Sequence, residues 1–104
     1  MSAYFFKLGG SKYKRVFQRR FFTYNEKEKI IKWYKTQGGV PKNSLALKFI
    51  SKIDGYDGQK FGRKYVFSLT TPVKVYYLAA ENEESYGQWL NSLKKGHSEA
   101  KVTK

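Results

Sequence analysis

The chain has 104 residues, of which 40% are hydrophobic and 18% aromatic. That is one domain with one core, and a chain of this length buries roughly 65% of the surface it exposes when unfolded, so no covalent staple is needed. It has no cysteine, which removes disulfide frameworks and thiolate metal sites and fits an intracellular setting, while 21 Lys+Arg against 8 Asp+Glu give a net charge of +13 that points to polyanionic partners: nucleic acid, anionic lipid or acidic protein.

No apolar run approaches the ~20 residues that cross a bilayer. The opening Met1-Ser2-Ala3-Tyr4-Phe5-Phe6-Lys7 is too short and too soon charged for a signal peptide. Residues 3–8 are apolar and aromatic and predict a strand, which Gly9-Gly10-Ser11 is expected to break. After the basic stretch Lys12-Tyr13-Lys14, residues 15–24 carry Val16, Phe17, Phe21, Phe22 and Tyr24 and predict a second strand. Asn25-Glu26-Lys27-Glu28 reads as a polar turn, residues 29–36 as a third strand, and Gln37-Gly38-Gly39-Val40-Pro41 as a loop. Leu45 and Leu47, followed by Phe49, Ile50 and Ile53, predict two short strands separated by a bend. The Gly-rich residues 55–62 form a loop, Tyr65, Phe67 and Leu69 alternate on a further strand, Thr70-Thr71-Pro72 turns the chain, and residues 73–79 make the last strand. Tyr76, Leu78 and Ala80 form a period-two set expected to point inward. Strands at this spacing with turns between them indicate a sandwich or barrel.

The period then changes. Tyr86, Trp89, Leu90 and Leu93 fall on one helical face, so a helix is expected at residues 82–95. Asn82 suits an N-cap, Glu83 and Glu84 complement the first turn, Lys94 and Lys95 the last, and Gly96 is the expected stop. Gly87 inside the helix suggests a close approach of helix to sheet. Residues 97–104 are polar and read as a flexible tail, which leaves 1–96 as the domain.

Charge is unevenly placed. Residues 1–25 carry Lys7, Lys12, Lys14, Arg15, Arg19 and Arg20 and no acid. The acids come later, in turns, at the helix start and in the tail, where the one histidine, His97, also lies. No polar groups converge as a nucleophile or general base would require, and no Gly-rich loop leads to the Lys-Ser/Thr of a P-loop. The sequence therefore reads as non-catalytic, with no cofactor and no metal.

Several strands closed by one amphipathic helix in about a hundred residues is the order of a pleckstrin-homology (PH) domain. Lys7-Leu8-Gly9-Gly10, a basic loop and Arg19-Arg20-Phe21-Phe22 resemble that family's first hairpin. Val66-Phe67-Ser68-Leu69, Tyr76-Tyr77-Leu78-Ala79-Ala80, Asn82-Glu83-Glu84 and Trp89-Leu90 resemble its closing segment, so the likeness spans residues 3–95. The resemblance implies a mainly β fold, a seven-stranded bent barrel or sandwich capped by the C-terminal helix, with Trp89 plugging one end beside Leu90 and Leu93. It also implies that the first, third and sixth inter-strand loops gather at the open end. There Lys7, Lys12, Lys14, Arg15 and Arg20 of the first hairpin would meet Lys42, with Lys74 as a further candidate, around the phosphates of a phosphoinositide head group. The family's phosphoinositide signature places a Lys near the end of the first strand, then a basic residue, any residue, and an Arg before two hydrophobics. Lys7 and Arg20-Phe21-Phe22 fit, and Gln18 stands where the middle cation belongs. Trp33 stands where many members use a third-strand tyrosine, and packing on a barrel face is its expected role. The implied function is a monomeric, cytoplasmic membrane-targeting module, peripheral on the cytosolic face and bound to anionic lipid. The alternatives are a PH-like protein-interaction module without specific lipid binding, and an OB-type barrel whose aromatics stack nucleic-acid bases.

Overall fold

A computed structural model describes residues 1–11 and 14–102, with backbone alone at 10, 11, 14, 15, 60, 101 and 102. The chain forms strands β1 (Ser2–Ser11), β2 (Lys14–Asn25), β3 (Ile30–Tyr34), β4 (Pro41–Ala46), β5 (Lys52–Tyr56), β6 (Val66–Thr70) and β7 (Val75–Ala80), then helix α1 (Glu83–Val102). Single 3₁₀ turns occupy Leu47–Phe49 and Gly58–Phe61. The strands make one antiparallel sheet in the order β4-β3-β2-β1-β7-β6-β5, the seven-stranded architecture closed by one C-terminal helix that the resemblance implied.

Residues directly opposite one another in a sheet share a face. Phe5 lies opposite Arg20 and Ala80, and Lys7 opposite Gln18 and Leu78, so these residues line the inner face together. That face is aromatic and aliphatic over most of its extent: Phe5, Phe22, Ile31, Phe67, Leu69 and Leu78 are buried on it. Phe5 is the hub, with edge-on contacts to Phe22, Phe67 and Trp89 at centroid distances of 5.6, 5.6 and 4.9 Å. Trp89 (2% exposed) and Leu93 enter the core from α1, while Tyr76, Ala80 and Leu90 pack at its margin, as the two sequence periods predicted.

Asn82 caps α1 as read: its Oδ1 accepts from the Ser85 amide at 2.8 Å. The expected stop at Gly96 is corrected, because α1 continues to Val102. A Cβ at Gly96 would collide with the Tyr24 hydroxyl and stand 2.9 Å from Leu47 Cδ1, so glycine here lets the helix close onto β2 and the 3₁₀ turn. His97, assigned to the tail, is buried with a ring nitrogen 2.5 Å from the Ile50 carbonyl oxygen. Gly87, by contrast, has nothing within 4 Å of an added Cβ, so it marks no close approach.

The expected break at Gly9-Gly10-Ser11 is also corrected. β1 continues through these residues, pairing Gly9 with Val16, Gly10 with Arg15 and Ser11 with Lys14. The ladder satisfies their backbone groups and outweighs the entropy glycine loses in a strand. Outside the sheet the 3₁₀ turn of 58–61 builds a second, smaller core. Phe61 packs on Phe17, Tyr77 and Tyr56 at 5.2, 5.5 and 5.8 Å. A Cβ at Gly58 would stand 2.5 Å from a Val66 methyl, which places the turn's backbone against the sheet and accounts for Val66 being buried on the outer face.

Candidate anion-binding site

The inner face turns polar where β1 and β2 run toward their hairpin. Lys7 sits two residues beyond Phe5, so strand alternation points it into the barrel, and it is half-buried there. Its ammonium lies 5.6 Å from the Trp33 ring centroid and 5.5 Å from that of Tyr76. Trp33 itself is buried against Phe22 and Tyr76, at 5.7 and 5.6 Å, so its role in the core is packing, and its π face also receives a cation. Lys74 shares Tyr76, with its ammonium 4.7 Å from the ring.

Burial lowers the pKa of Lys7 below its ordinary value, and the charges of Lys74, Arg20 and Lys42 lower it further. Four cations therefore converge from β1, β2, β4 and the β6–β7 turn. Each is positioned by its element. Arg20 donates from Nη2 to Gln18 Oε1 and from Nη1 to the Arg19 carbonyl, both at 3.0 Å, so the residue in the missing cation position steers the guanidinium instead. Between β3 and β4 the register runs from Trp33–Asn43 to Tyr34–Pro41, which leaves Lys42 as the extra residue of a bulge. Lys74 is held by a braced turn in which the Thr71 hydroxyl donates to the Lys74 carbonyl at 2.8 Å and accepts from its amide at 3.1 Å.

Among the described residues the ion pairs are Arg19–Glu81, Lys29–Glu99 and Asp54 with Lys52 and Lys94, and none includes Lys7, Arg20, Lys42 or Lys74. A half-buried lysine beside three more cations and no carboxylate partner is electrostatically unfavourable without a counter-anion. Chemically, the arrangement offers the half-buried Lys7 ammonium, a steered guanidinium fork, and ammonium groups from the β4 bulge and the β6–β7 turn to one compact polyanion.

Of the residues expected from sequence, the fold brings Lys7, Arg20, Lys42 and the further candidate Lys74 together. Lys14 and Arg15 begin β2 opposite Ser11 and Gly10, and their side chains, with the whole of Lys12, lie outside the described residues. The supporting roles of Gln18 and Tyr76 were not assigned from sequence. Their signal was the strand period itself, since Gln18 and Arg20 are two apart, as are Tyr76 and Lys74.

Comparison with known proteins agrees with this architecture. The PH domain family model matches residues 1–98. A PH domain-containing protein of Dictyostelium discoideum is 31% identical over 93 residues, covering 86% of this chain, which spans only 19% of that protein. Among solved structures, the PH domain of human TBC1 domain family member 2 superposes with a TM-score of 0.78 at 24% identity, covering 100% of this chain and 85% of that one. The C-terminal PH domain of pleckstrin in complex with D-myo-Ins(1,2,3,5,6)P5 superposes with a TM-score of 0.77 at 14% identity, covering 93% of each chain. The fold, the capped closing helix with its buried tryptophan and the family match together establish that this chain belongs to the PH domain family.

Proposed function

We propose that this domain is a non-catalytic membrane-targeting module that binds phosphoinositide head groups at the open end of its barrel. The observation that carries the reading is the cluster of Lys7, Arg20, Lys42 and Lys74, none of them ion-paired among the described residues, with Lys7 half-buried at its centre. A phosphorylated inositol ring supplies several phosphates within the span of such a cluster, and the complex of a pleckstrin PH domain with an inositol pentakisphosphate shows that the fold accommodates one. Lys7 and Arg20 make the direct phosphate contacts in this reading, Lys42 and Lys74 close over the ring, and Lys12, Lys14 and Arg15 add a looser field from the hairpin. The domain then resides peripherally on the cytosolic face of membranes. Because Gln18 replaces a cation, affinity is weak to intermediate and falls steeply with salt, as a diffuse charge interaction does.

Sedimentation with vesicles tests this. Vesicles containing a phosphoinositide should retain the domain at low salt better than phosphatidylserine vesicles of equal charge. The Lys7→Ala/Arg20→Ala variant should lose that selectivity, while Lys12→Ala/Lys14→Ala should weaken binding to all anionic vesicles alike. A wild-type domain that ignores phosphoinositide vesicles at low salt rules the reading out, and the basic end then serves a protein or nucleic-acid partner.

A further inference from the structure

The turn that holds Lys74 carries a chemical handle that the anion site does not use. Thr71-Pro72-Val73-Lys74 joins a hydroxyl, a proline directly after it and a cation three residues on. An acceptor hydroxyl in that setting is what proline-directed protein kinases read. The chain has two prolines, and Pro72 is the one that follows a hydroxyl residue, since Val40 precedes Pro41. Position gives the motif weight. Pro72, Val73 and Lys74 are exposed and Thr71 partly so, at the tip between β6 and β7. Among the described residues the Thr71 hydroxyl bonds only within 71–74, so the tip can open to an enzyme without breaking the sheet.

The same hydroxyl stands where an anion would be held. β6 and β7 pair Leu69 with Tyr76 and Thr70 with Val75, and the Thr71 amide donates to the Lys74 carbonyl at 3.0 Å, so the register carries on to set Thr71 against Lys74. Thr71 thus continues the inner-face line of Phe67 and Leu69. Its oxygen accepts from the Val73 and Lys74 amides at 3.3 and 3.1 Å, two donors that a phosphate oxygen can take over. The Lys74 ammonium lies 4.7 Å from the Tyr76 ring, which Lys7 approaches to 5.5 Å. A phosphate on Thr71 brings about −1.5 to −2 charges to this cluster. Among the described residues the cluster has no carboxylate in an ion pair to compete with it. One bond is given up, the 2.8 Å donation from the hydroxyl to the Lys74 carbonyl.

We propose that Thr71 is a phosphorylation site whose phosphate docks on Lys74 and Lys7 as a tethered counter-anion and closes the cluster to external polyanions. The inference rests on the anion site above and adds its regulation. In the transfer the Thr71 oxygen bonds the γ-phosphorus of ATP, the bond to the ADP oxygen breaks, and the hydroxyl proton passes to the kinase. A tethered anion competes at high effective concentration, so no further partner is needed.

The folded domain is incubated with a proline-directed kinase and ATP, and homogeneous phosphoprotein is made in parallel with phosphothreonine encoded at position 71. Mass spectrometry should find the enzymatic phosphate on Thr71, and Pro72→Ala should abolish its transfer. At low salt the phosphoprotein should bind inositol hexakisphosphate ~10-fold or more weakly than the unmodified domain, and its thermal midpoint should rise. Thr71→Val removes the same hydroxyl bond without adding charge; it should lose far less affinity, and its midpoint should fall. In phosphorus NMR the second pKa of the phosphothreonine should lie below its ordinary ~6 and return toward it in the Lys7→Met variant. The inference is overturned if the kinase leaves Thr71 of the folded domain unmodified, if the phosphoprotein binds inositol hexakisphosphate like wild type, if Thr71→Val loses as much, or if the phosphate titrates as in an unstructured peptide. Unmodified wild-type protein that ignores inositol hexakisphosphate removes the anion site itself, and the switch falls with it.

Discussion

Lys7 is the residue at which the stability of this domain and the proposed anion binding pull in opposite directions. Its pKa is lowered in the folded state by burial first and then by Lys74, Arg20 and Lys42. The unfolded chain therefore holds the Lys7 proton more tightly, and charged Lys7 opposes folding in full below the folded pKa. Stability rises with pH between the folded and unfolded values, as the folded state sheds the proton first. Tyr24 acts in the opposite sense: burial, Glu26 and Glu99 raise its pKa, so its contribution is lost as pH climbs above the unfolded tyrosine value. Lys7→Met should raise the thermal midpoint at neutral pH and low salt, remove the Lys7 component of the alkaline rise, and weaken anion binding. An unchanged midpoint in a calorimetric pH series would show that the lysine is not under this electrostatic load. Trp89→Ala, which empties a fully packed site against Phe5, should cost about 3–5 kcal/mol in denaturant unfolding. Both side chains were legible in the sequence, Trp89 from helical spacing and Lys7 from its place in a family motif. The steering of Arg20 by Gln18 was not, because a neutral residue in a cationic position gives no sign of what it will hold.

The strands and the helix were legible in type and order, and their ends much less so. The cap at Asn82 could be read because capping is local chemistry between neighbours in sequence. The end of α1 could not, since Gly96 has the local signature of a stop and is present for contact with Tyr24 and Leu47, far away in sequence. The two helical glycines thus make a paired test. Gly87→Ala meets open space and should stabilise the domain by about 0.5–1 kcal/mol through helix propensity. Gly96→Ala forces a methyl into Tyr24 and Leu47 and should destabilise by about 1–3 kcal/mol despite the same gain in propensity. Equal effects in thermal denaturation would mean that α1 does not close on β2 as described. The outer-face core was hidden for a related reason. Residues 55–62 look like an ordinary Gly-rich loop, yet the Asp57 carboxylate caps the turn by accepting from the Gln59 amide at 3.0 Å, and Phe61 then finds three ring partners across the sheet.

Six of the eight acids gather away from the basic hairpin. Glu26 and Glu28 lie in the β2–β3 turn, Glu99 is tied to Lys29 at 3.4 Å, and Glu81, Glu83 and Glu84 lie between β7 and the first turn of α1, all toward the ends of β2 and β7 away from their basic loops. In the proposed function, the field of this separation and the net charge of +13 would orient the cation cluster toward an anionic surface and speed encounter at low salt. The sequence revealed the excess of charge and its absence of acids over residues 1–25, and the family resemblance implied that Lys42 and Lys74 approach Lys7; the β4 bulge and the Thr71-braced turn that hold those two lysines were not read from it. The most direct test of that convergence is a titration of the isotopically labelled domain with inositol hexakisphosphate, followed amide by amide in heteronuclear NMR spectra. The account predicts saturable shifts that are largest at Lys7, Gln18, Arg20, Lys42 and Lys74 and small along α1. Shifts that are absent at low salt, or that centre on the helix or on the outer face around Phe61, would contradict it.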